Sequence, residues 1–481
     1  MNISVISKNI GVALIFNAVF MFIGAIIAVF NDFDSSFSPL LLSAVITITT
    51  GLFPLIFVRN SEDINLKEGF FIIVFSWLLS CMFGMLPYVL WGGEFTLVNA
   101  WFESVSGYTT TGSTILTDVE ALPKGLLFWR SSTHFLGGIG VVVFMLLILP
   151  SVSTFRMRLS KMEISSLSKD NYKFKAQHTI RVITSVYVGL IAVETVCLML
   201  VGMDLFDAVN HSFSTVATGG FSTKNLSIMQ FQSFPIELVI TIFMLLSGLH
   251  FGLLYSSLID RSGKLFRSPI IRFFFSIVAV SIVAMAVDIK LAGNVETWAM
   301  AFRESMFQTA TIVSATGFAT ADTSVWPNLS KLILIYLTIQ CACSGSTTGG
   351  IKVDRVYIWL KSIGAQMKRL LHPNAVVPVR IGSHTLESDF VSSVSLYIVL
   401  YLFVLFVGAI LLAMMGVDLI DAISASAGCL GNVGPGFGSV GSLGTYAAIP
   451  TLGKITLTAQ MLLGRLEIYT ILLMFVIHKW R

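Results

Sequence analysis

Four short segments rich in threonine and glycine carry the residues best suited to bind an ion. They read YTTTGST, TVATGGFS, VSATGFAT and GNVGPGFG, and they recur at near-regular spacing around Gly112, Gly219, Gly317 and Gly434. Glycine permits a positive φ and places no side chain in a narrow space, while threonine offers a hydroxyl oxygen. A set of such turns predicts closely placed carbonyl and hydroxyl oxygens, which are suitable ligands for a monovalent cation.

The chain that carries these turns has the composition of a membrane protein. Its 481 residues are 55% hydrophobic and 12% charged, with a mean hydropathy of +0.85, which excludes a soluble enzyme of ordinary composition. About ten apolar runs are long enough to cross ~30 Å of hydrocarbon. They lie near residues 9–30, 39–58, 68–91, 125–150, 181–202, 234–258, 269–290, 330–360, 391–416 and 452–479. The first run has no cleavage site, so we expect it to remain as a span.

The basic residues predict how the spans are oriented. There are 30 Lys and Arg against 26 Asp and Glu, and most of the basic residues fall in alternate connections that belong to one side. The positive-inside rule then places both termini in the cytoplasm. The net charge of +4 is small and scattered, so nucleic acid is not an expected partner. We interpret the basic stretch 155–181 as a cytoplasmic loop attracted to anionic lipid, and secondarily as a docking surface for a partner.

The cysteines and histidines show no arrangement typical of an enzyme. The five cysteines lack the spacing of a zinc site, and we interpret them as reduced and structural. None of the seven histidines lies in an H-E-x-x-H or comparable arrangement, so we expect neither enzymatic activity nor an organic cofactor. His250 could relay protons, although a hydrogen-bonded structural histidine is the simpler interpretation, and His134 and His211 are similar.

Each threonine-glycine segment follows a span and a helix-length segment, and another span comes after it. In three units the helix-length segment begins with Asn99, Asp207 or Asp421, which we expect to cap a helix N-terminus. The third unit, with Arg303 and Glu304, departs from this start. Irregular backbone at membrane depth is tolerated only where protein or a watery cavity surrounds it. The repeat therefore predicts four parallel units around one pore, an arrangement unlike the inverted repeats of organic-solute transporters.

Two further features follow the third and fourth turns. The eighth span contains CACSGSTTGGIK, whose small and hydroxyl residues favour a break in the helix; the alternative is close helix packing through small residues. Arg465 lies inside the last span, where a charge is costly enough to indicate a function. It could form a barrier that faces the permeation path, or an ion pair with Glu467 or another acid.

These motifs resemble those of the Trk/Ktr/HKT superfamily of potassium transporters, and within it the TrkH/TrkG type of pore-forming subunit. The resemblance covers essentially the whole chain and rests on TTTGST, HSFSTVATGGFST, CACSGSTTGGIKV, KRLLHPNAV, GNVGPGFG, MLLGRLEIYT and two spans before the first repeat. It implies an all-α polytopic membrane protein with four M1-pore helix-M2 repeats around a central pore and two extra N-terminal transmembrane helices. The implied segments are 1–67 for the two N-terminal helices, and 68–180, 181–268, 269–387 and 388–481 for the four repeats, with a broken M2 helix in the third.

The resemblance also implies which residues handle the ion. K+ is the expected transported ion, and a glycine in each turn implies a preference for K+ over Na+. The implied selectivity filter consists of Thr110, Thr111, Gly112, Ala217, Thr218, Gly219, Ala315, Thr316, Gly317, Asn432, Val433 and Gly434. The fourth turn lacks the threonine of the others. The implied gate is a loop of Gly345, Ser346, Thr347, Thr348, Gly349 and Gly350, together with Arg465.

The function implied by the resemblance is potassium uptake across a bacterial inner membrane through a gated pore. Members of the superfamily form homodimers and work with a cytoplasmic nucleotide-binding ring, so we expect a homodimer, membrane lipid and a TrkA-like regulatory ring as partners. A symporter in which H+ or Na+ drives K+ uptake is the alternative, and the sequence does not separate the two.

Overall fold

The computed structural model describes residues 3–58, 66–140, 168–259, 264–382 and 384–476. The regular structure of this part is helical apart from a two-stranded antiparallel hairpin, in which β1 (Arg380–Ile381) pairs with β2 (His384–Thr385). The all-α fold predicted from the sequence is therefore confirmed. Residues 155–167 of the predicted basic stretch 155–181 lie outside the described residues.

The chain begins with helices α1 (Ile3–Phe30), α2 (Phe37–Phe57), α3 (Leu66–Gly84) and α4 (Leu86–Trp91). In the described part of the chain, six helical segments are long and apolar enough to cross a membrane, and they agree with six of the predicted spans. These segments are Ile3–Phe30, Phe37–Phe57, Glu68–Trp91, Arg181–Leu200, Pro269–Leu291 and Ser388–Met414. The last three belong to α7 (Ser168–Leu200), α12 (Pro269–Leu291) and α16 (Ser388–Met414).

Four shorter helices precede the threonine-glycine turns: α5 (Leu97–Tyr108), α8 (Leu205–Val216), α13 (Trp298–Val313) and α17 (Leu419–Leu430). We call them the pore helices, after the pore that the sequence predicts. Each is amphipathic and ends at a turn that is almost wholly buried. The third is 16 residues long whereas the other three have 12, which is about one extra helical turn.

The predicted N-caps Asn99, Asp207 and Asp421 are wrong by three residues. The pore helices instead begin after Thr96, Asp204, Thr297 and Asp418. Each of these side chains accepts a hydrogen bond from a backbone N–H of the first turn, such as the one from Asn99 to Thr96. In these three units the predicted residue lies three positions after the true N-cap, within the first turn of the helix.

In the described residues, the helices that follow the second, third and fourth turns are interrupted. Residues 124–140 form α6, which reaches the edge of a described range. The predicted span 234–258 is divided into α9 (Phe234–Ser247) and α10 (Phe251–Ile259), which are bent by 104°. The predicted spans 330–360 and 452–479 are likewise divided. They form α14 (Asn328–Gln340) with α15 (Val353–Leu371), and α18 (Thr451–Arg465) with α19 (Ile468–Val476). The short helix α11 (Lys264–Arg267) comes between α10 and α12 in the sequence.

Polar side chains lie inside the molecule and large apolar side chains lie outside. Ser131, Ser132 and Thr133 of α6 are at most 1% exposed, whereas Val280 of α12 and Phe403 of α16 are 69% and 64% exposed. This distribution is the reverse of a soluble protein's, in which exposed positions are mostly polar. It is the arrangement expected of helices that face lipid and surround a polar interior.

Candidate functional site

The four turns after the pore helices share one backbone conformation. In each turn a residue with positive φ follows the helix cap, and a glycine with positive φ lies two positions later. The pairs are Thr110 (51°) with Gly112 (80°), Thr218 (58°) with Gly220 (81°), Ala315 (55°) with Gly317 (84°), and Asn432 (53°) with Gly434 (97°). A left-handed backbone at both positions turns the chain sharply away from the helix.

This conformation corrects the predicted alignment of the second turn by one residue. Gly220 holds the position of Gly112, whereas Gly219 matches Thr111. Ala217 is the C-cap of α8, as Thr109 is of α5. The sequence Thr-Gly-Gly allowed either glycine to be aligned, and the spacing from the helix N-terminus now agrees in the first, second and fourth units.

The four turns contact one another in cyclic order. A Cβ atom on any of the four positive-φ glycines would overlap a backbone carbonyl oxygen of the next unit. The overlaps pair Gly112 with the carbonyl of Gly219, Gly220 with Thr316, Gly317 with Val433, and Gly434 with Thr111. The fourth contact returns to the first unit, so the turns form a closed ring. Only glycine fits at these four positions, and the four carbonyl groups lie at equivalent places around the ring.

A cavity of about 280 Å³ lies on one side of the ring. All four positive-φ glycines line it, together with the extended segments that follow them. Its lining includes Arg130 and Lys224 but no acidic residue of the described chain. The ring therefore separates this cavity from the C-terminal ends of the pore helices. Those ends carry a partial negative charge, which favours a cation.

Buried side chains of the pore helices hold the extended segments in place. Glu103 of α5 accepts hydrogen bonds from the Thr114 hydroxyl (2.9 Å) and the Ile115 amide (3.1 Å). At the matching position of α8, His211 Nε2 lies 2.9 Å from the Ser222 hydroxyl. The contacts to Thr114 and Ser222 each join a helix to the residue two positions after a ring glycine. Side chains of the pore helices therefore hold the first and second turns in place.

Glu103 also forms a buried ion pair with Arg130 of α6 at 2.9 Å. The two side chains are 0% and 2% exposed. Arg130 Nη1 donates to the Ser222 carbonyl (3.2 Å), so this pair joins the first and second units. Glu103 and Arg130 were not identified from the sequence. Ionisable residues at membrane depth indicate a function, so their position beside a predicted turn could have pointed to them.

Replacing Glu103 by alanine should destabilise the protein by about 3–5 kcal/mol, because Arg130 would stay buried without its counter-charge. The expected result is a lower midpoint of thermal unfolding in detergent. Glu103→Gln keeps an acceptor for the Thr114 hydroxyl and should lie between alanine and wild type. An alanine variant as stable as the wild type would contradict a supporting role for the pair.

The predicted break in the eighth span is confirmed, and it has the form of a loop whose ends meet. The backbone N–H of Ile351 donates to the Ile339 carbonyl (3.0 Å), and that of Lys352 donates to the Gln340 carbonyl (2.8 Å). The chain therefore leaves α14, makes an excursion over residues 341–350 and returns to its starting point before α15. Continuous helix packing through small residues is the wrong interpretation of this segment.

The loop lies against the helix side of the ring. The Thr347 hydroxyl donates to the Val216 carbonyl at the end of α8 (3.1 Å) and accepts from the Thr218 hydroxyl (3.2 Å). A Cβ atom on Gly349 would overlap the carbonyl of Gly431, which caps α17. The loop thus contacts the second and fourth units on the face opposite the cavity.

Arg465 fastens this loop to the first unit. Its guanidinium donates to the Thr347 carbonyl and to the Gly137 carbonyl of α6 (3.1 Å), and the residue is 5% exposed. Glu467 instead pairs with Arg355 of α15 at 2.9 Å, so the ion pair with Glu467 that the sequence left open is wrong. Within the described ranges, no other carboxylate forms a salt bridge with Arg465.

The chain is similar to known transport proteins along most of its length. The profile of the TrkH family, described as cation transport protein, matches residues 40–479. The potassium uptake protein TrkH of the Trk system from Halomonas elongata is 34% identical over 440 residues, which are 90% of this chain and 91% of that protein. TrkH from Escherichia coli K12 is 33% identical over 426 residues, with 88% of each chain covered, and TrkG from the same strain is 33% identical over 429 residues.

The fold agrees with a solved structure of the same kind. The crystal structure of the potassium transporter TrkH from Vibrio parahaemolyticus superposes with a TM-score of 0.90, covers all of both chains and is 28% identical in sequence. These relatives are named as transport or uptake proteins, not as enzymes. Together with the six apolar helices, the matches make this a multi-pass membrane protein that belongs to the TrkH family of cation transport proteins.

Proposed function

We propose that this protein takes up K+ across a bacterial inner membrane through a selective pore formed by the four turns. The observation that carries the proposal is the closed ring, in which each glycine admits the carbonyl of the next unit and no side chain would fit. A ring of carbonyl oxygens can replace the hydration shell of a monovalent cation. The relatives from Halomonas elongata and Escherichia coli are named as potassium uptake proteins, which supports K+ as the ion.

We assign the filter to three residues of each turn, with the second turn moved by one. It comprises Thr110, Thr111 and Gly112; Thr218, Gly219 and Gly220; Ala315, Thr316 and Gly317; and Asn432, Val433 and Gly434. Ala217, as a helix cap, lies one residue before the filter. The two N-terminal helices (1–67) and four pore repeats (68–180, 181–268, 269–387 and 388–481) remain our proposed division of the chain.

The loop of residues 345–350 is our proposed gate. It contacts the ring from the face opposite the cavity, where an ion leaving the filter would have to pass. Arg465 holds the loop through a backbone carbonyl, and its positive charge would oppose a cation at that point. In this proposal, the loop and Arg465 together obstruct the path of the ion.

The proposed partners are a second copy of the chain and a TrkA-like cytoplasmic ring that binds nucleotide. The relatives are named as proteins of a Trk system, which supports the existence of further components. Both termini and the basic stretch 155–181 are proposed to face the cytoplasm, where that ring would dock.

Liposomes that contain the purified chain test the proposed function. Downhill K+ and Na+ fluxes are measured separately, at equal pH on both sides and with no other gradient. We expect K+ flux to exceed Na+ flux. Flux that appears only when an H+ or Na+ gradient is imposed would contradict the passive pore and favour the symporter. Equal fluxes of the two ions would contradict the selective filter.

A further inference from the structure

The second turn differs from the other three at the residue before its glycine. The first, third and fourth turns have Thr111, Thr316 and Val433 there, whereas the second has Gly219. Gly219 is not among the glycines with positive φ, so its backbone conformation does not require glycine. Another cause must exclude a side chain from this position.

That cause is the imidazole of His134 on α6. A Cβ atom on Gly219 would overlap the atoms of this ring, which is fully buried. The imidazole therefore fills the space behind the second turn. It occupies the place where a side chain at position 219 would begin.

Two contacts hold the imidazole in this place. The Ser214 hydroxyl donates to the Phe221 carbonyl (2.7 Å), so its oxygen accepts from His134 Nδ1 at 3.0 Å, and Nδ1 carries the proton. The imidazole also stacks on the Phe221 ring, with centroids 4.2 Å apart and planes 16° apart. Ser214 precedes the turn and Phe221 follows it, so His134 is attached to both ends.

The geometry points to His134 as a specificity-determining residue of the filter. We propose that it holds Gly219 so that the Gly219 carbonyl stays in the ring, where it lies against Gly112. In the second turn, a side chain of the neighbouring helix α6 thus takes the place of the side chain that the other three turns carry at this position. His134 acts through Gly219 and is a positioning residue. This inference rests on the proposed function, because it assumes that the ring selects the ion.

The test removes the side chain at position 134 and then adds one at position 219. His134→Ala removes the support and should lower the ratio of K+ to Na+ flux in liposomes about fivefold, as expected for the loss of one positioning hydrogen bond. The double variant His134→Ala with Gly219→Thr places in the second turn the residue that the first and third turns have. It should recover most of the wild-type ratio.

The flux ratio distinguishes a positioning role of His134 from a packing role. If His134 served only for packing, its substitution would reduce the amount of folded protein, but the protein that folds would keep the wild-type ratio of K+ to Na+ flux. Thermal unfolding and size exclusion identify that fraction. His134→Gln, which keeps a donor of similar reach, should retain more of the ratio than His134→Ala. A wild-type ratio in His134→Ala, or a double variant no more selective than His134→Ala, would overturn the inference.

Gly112→Ser in the same liposomes separates this inference from the proposed function. If the serine lowers the ratio and His134→Ala does not, only the role of His134 is wrong. If neither substitution changes the ratio, the filter assignment itself is wrong.

Discussion

Serine in place of Gly112 is expected to lower the preference for K+ over Na+ about tenfold, which corresponds to ~1.4 kcal/mol between the two ions. Two effects combine at this position. The φ of Gly112 is +80°, a conformation that costs an L-residue roughly 1–2 kcal/mol. The new Cβ atom would also overlap the Gly219 carbonyl, so the second turn must move. Because the ring is closed, that movement displaces carbonyl oxygens that we assign to ion binding.

Gly293→Ser is the matched control for this prediction. Gly293 has nearly the same φ, +78°, but a Cβ atom there meets nothing within 4 Å. It lies after α12 and outside the ring. The control therefore has the same backbone strain without the overlap. Separate K+ and Na+ fluxes in liposomes measure both variants, and an equal loss of preference in the two would contradict the filter assignment.

Alanine in place of Arg465 is expected to increase downhill K+ flux through the purified chain several-fold. The substitution removes the hydrogen bonds to the Thr347 and Gly137 carbonyls, so the loop loses its attachment to α6. It also removes a buried positive charge from the proposed path, which lowers the electrostatic barrier to a cation. Initial rates of K+ efflux from loaded liposomes, normalised to inserted protein, measure the effect.

Arg465→Lys separates the two contributions. Lysine keeps the charge but not the planar fork that reaches two carbonyls at once, so flux between those of wild type and alanine would indicate anchoring. Glu467→Gln is a control, because it breaks the pair with Arg355 and leaves the contacts of Arg465 unchanged.

A shortened loop tests the same gate if the alanine variant folds poorly. Deletion of residues 346–349 leaves the meeting points at Ile339 with Ile351 and Gln340 with Lys352 intact, so α14 and α15 can keep their positions. We expect this deletion also to raise flux. Wild-type flux in both variants would show that the loop does not obstruct the pore.

Hydropathy predicted the long spans well but missed most of their interruptions. The break after Gln340 is encoded locally, because glycine and hydroxyl residues follow one another there. The 104° bend after Ser247 lies in an apolar run that reads as continuous helix. Contacts from the distant loop support it: the Cys343 N–H donates to the Gly248 carbonyl, and the Phe251 N–H donates to that of Gly345. Such contacts are not visible in local sequence.

The turns themselves were predictable, but their alignment and support were not. Glycine-rich motifs at regular spacing located all four, yet the second turn was placed on Gly219, one residue before the glycine that lies in the ring. The positive φ of Gly220 and its overlap with the Thr316 carbonyl of the next unit together decide which glycine belongs to the ring. Likewise, Glu467 lies two positions from Arg465 in sequence but pairs with Arg355 on another helix. Such partners depend on the tertiary arrangement, which one sequence does not state.

The ring is made of four unlike turns on one polypeptide, and this affects how such a protein can evolve. In an assembly of identical subunits, one altered codon changes every turn simultaneously. Here the carbonyl groups of Thr111, Gly219, Thr316 and Val433 belong to separate codons, so a mutation alters a single quadrant while three are inherited unchanged. If the ring selects the ion as we propose, natural selection can adjust ion preference one turn at a time. The proposed support of the second turn by His134 is a change of this kind, because it affects one turn alone.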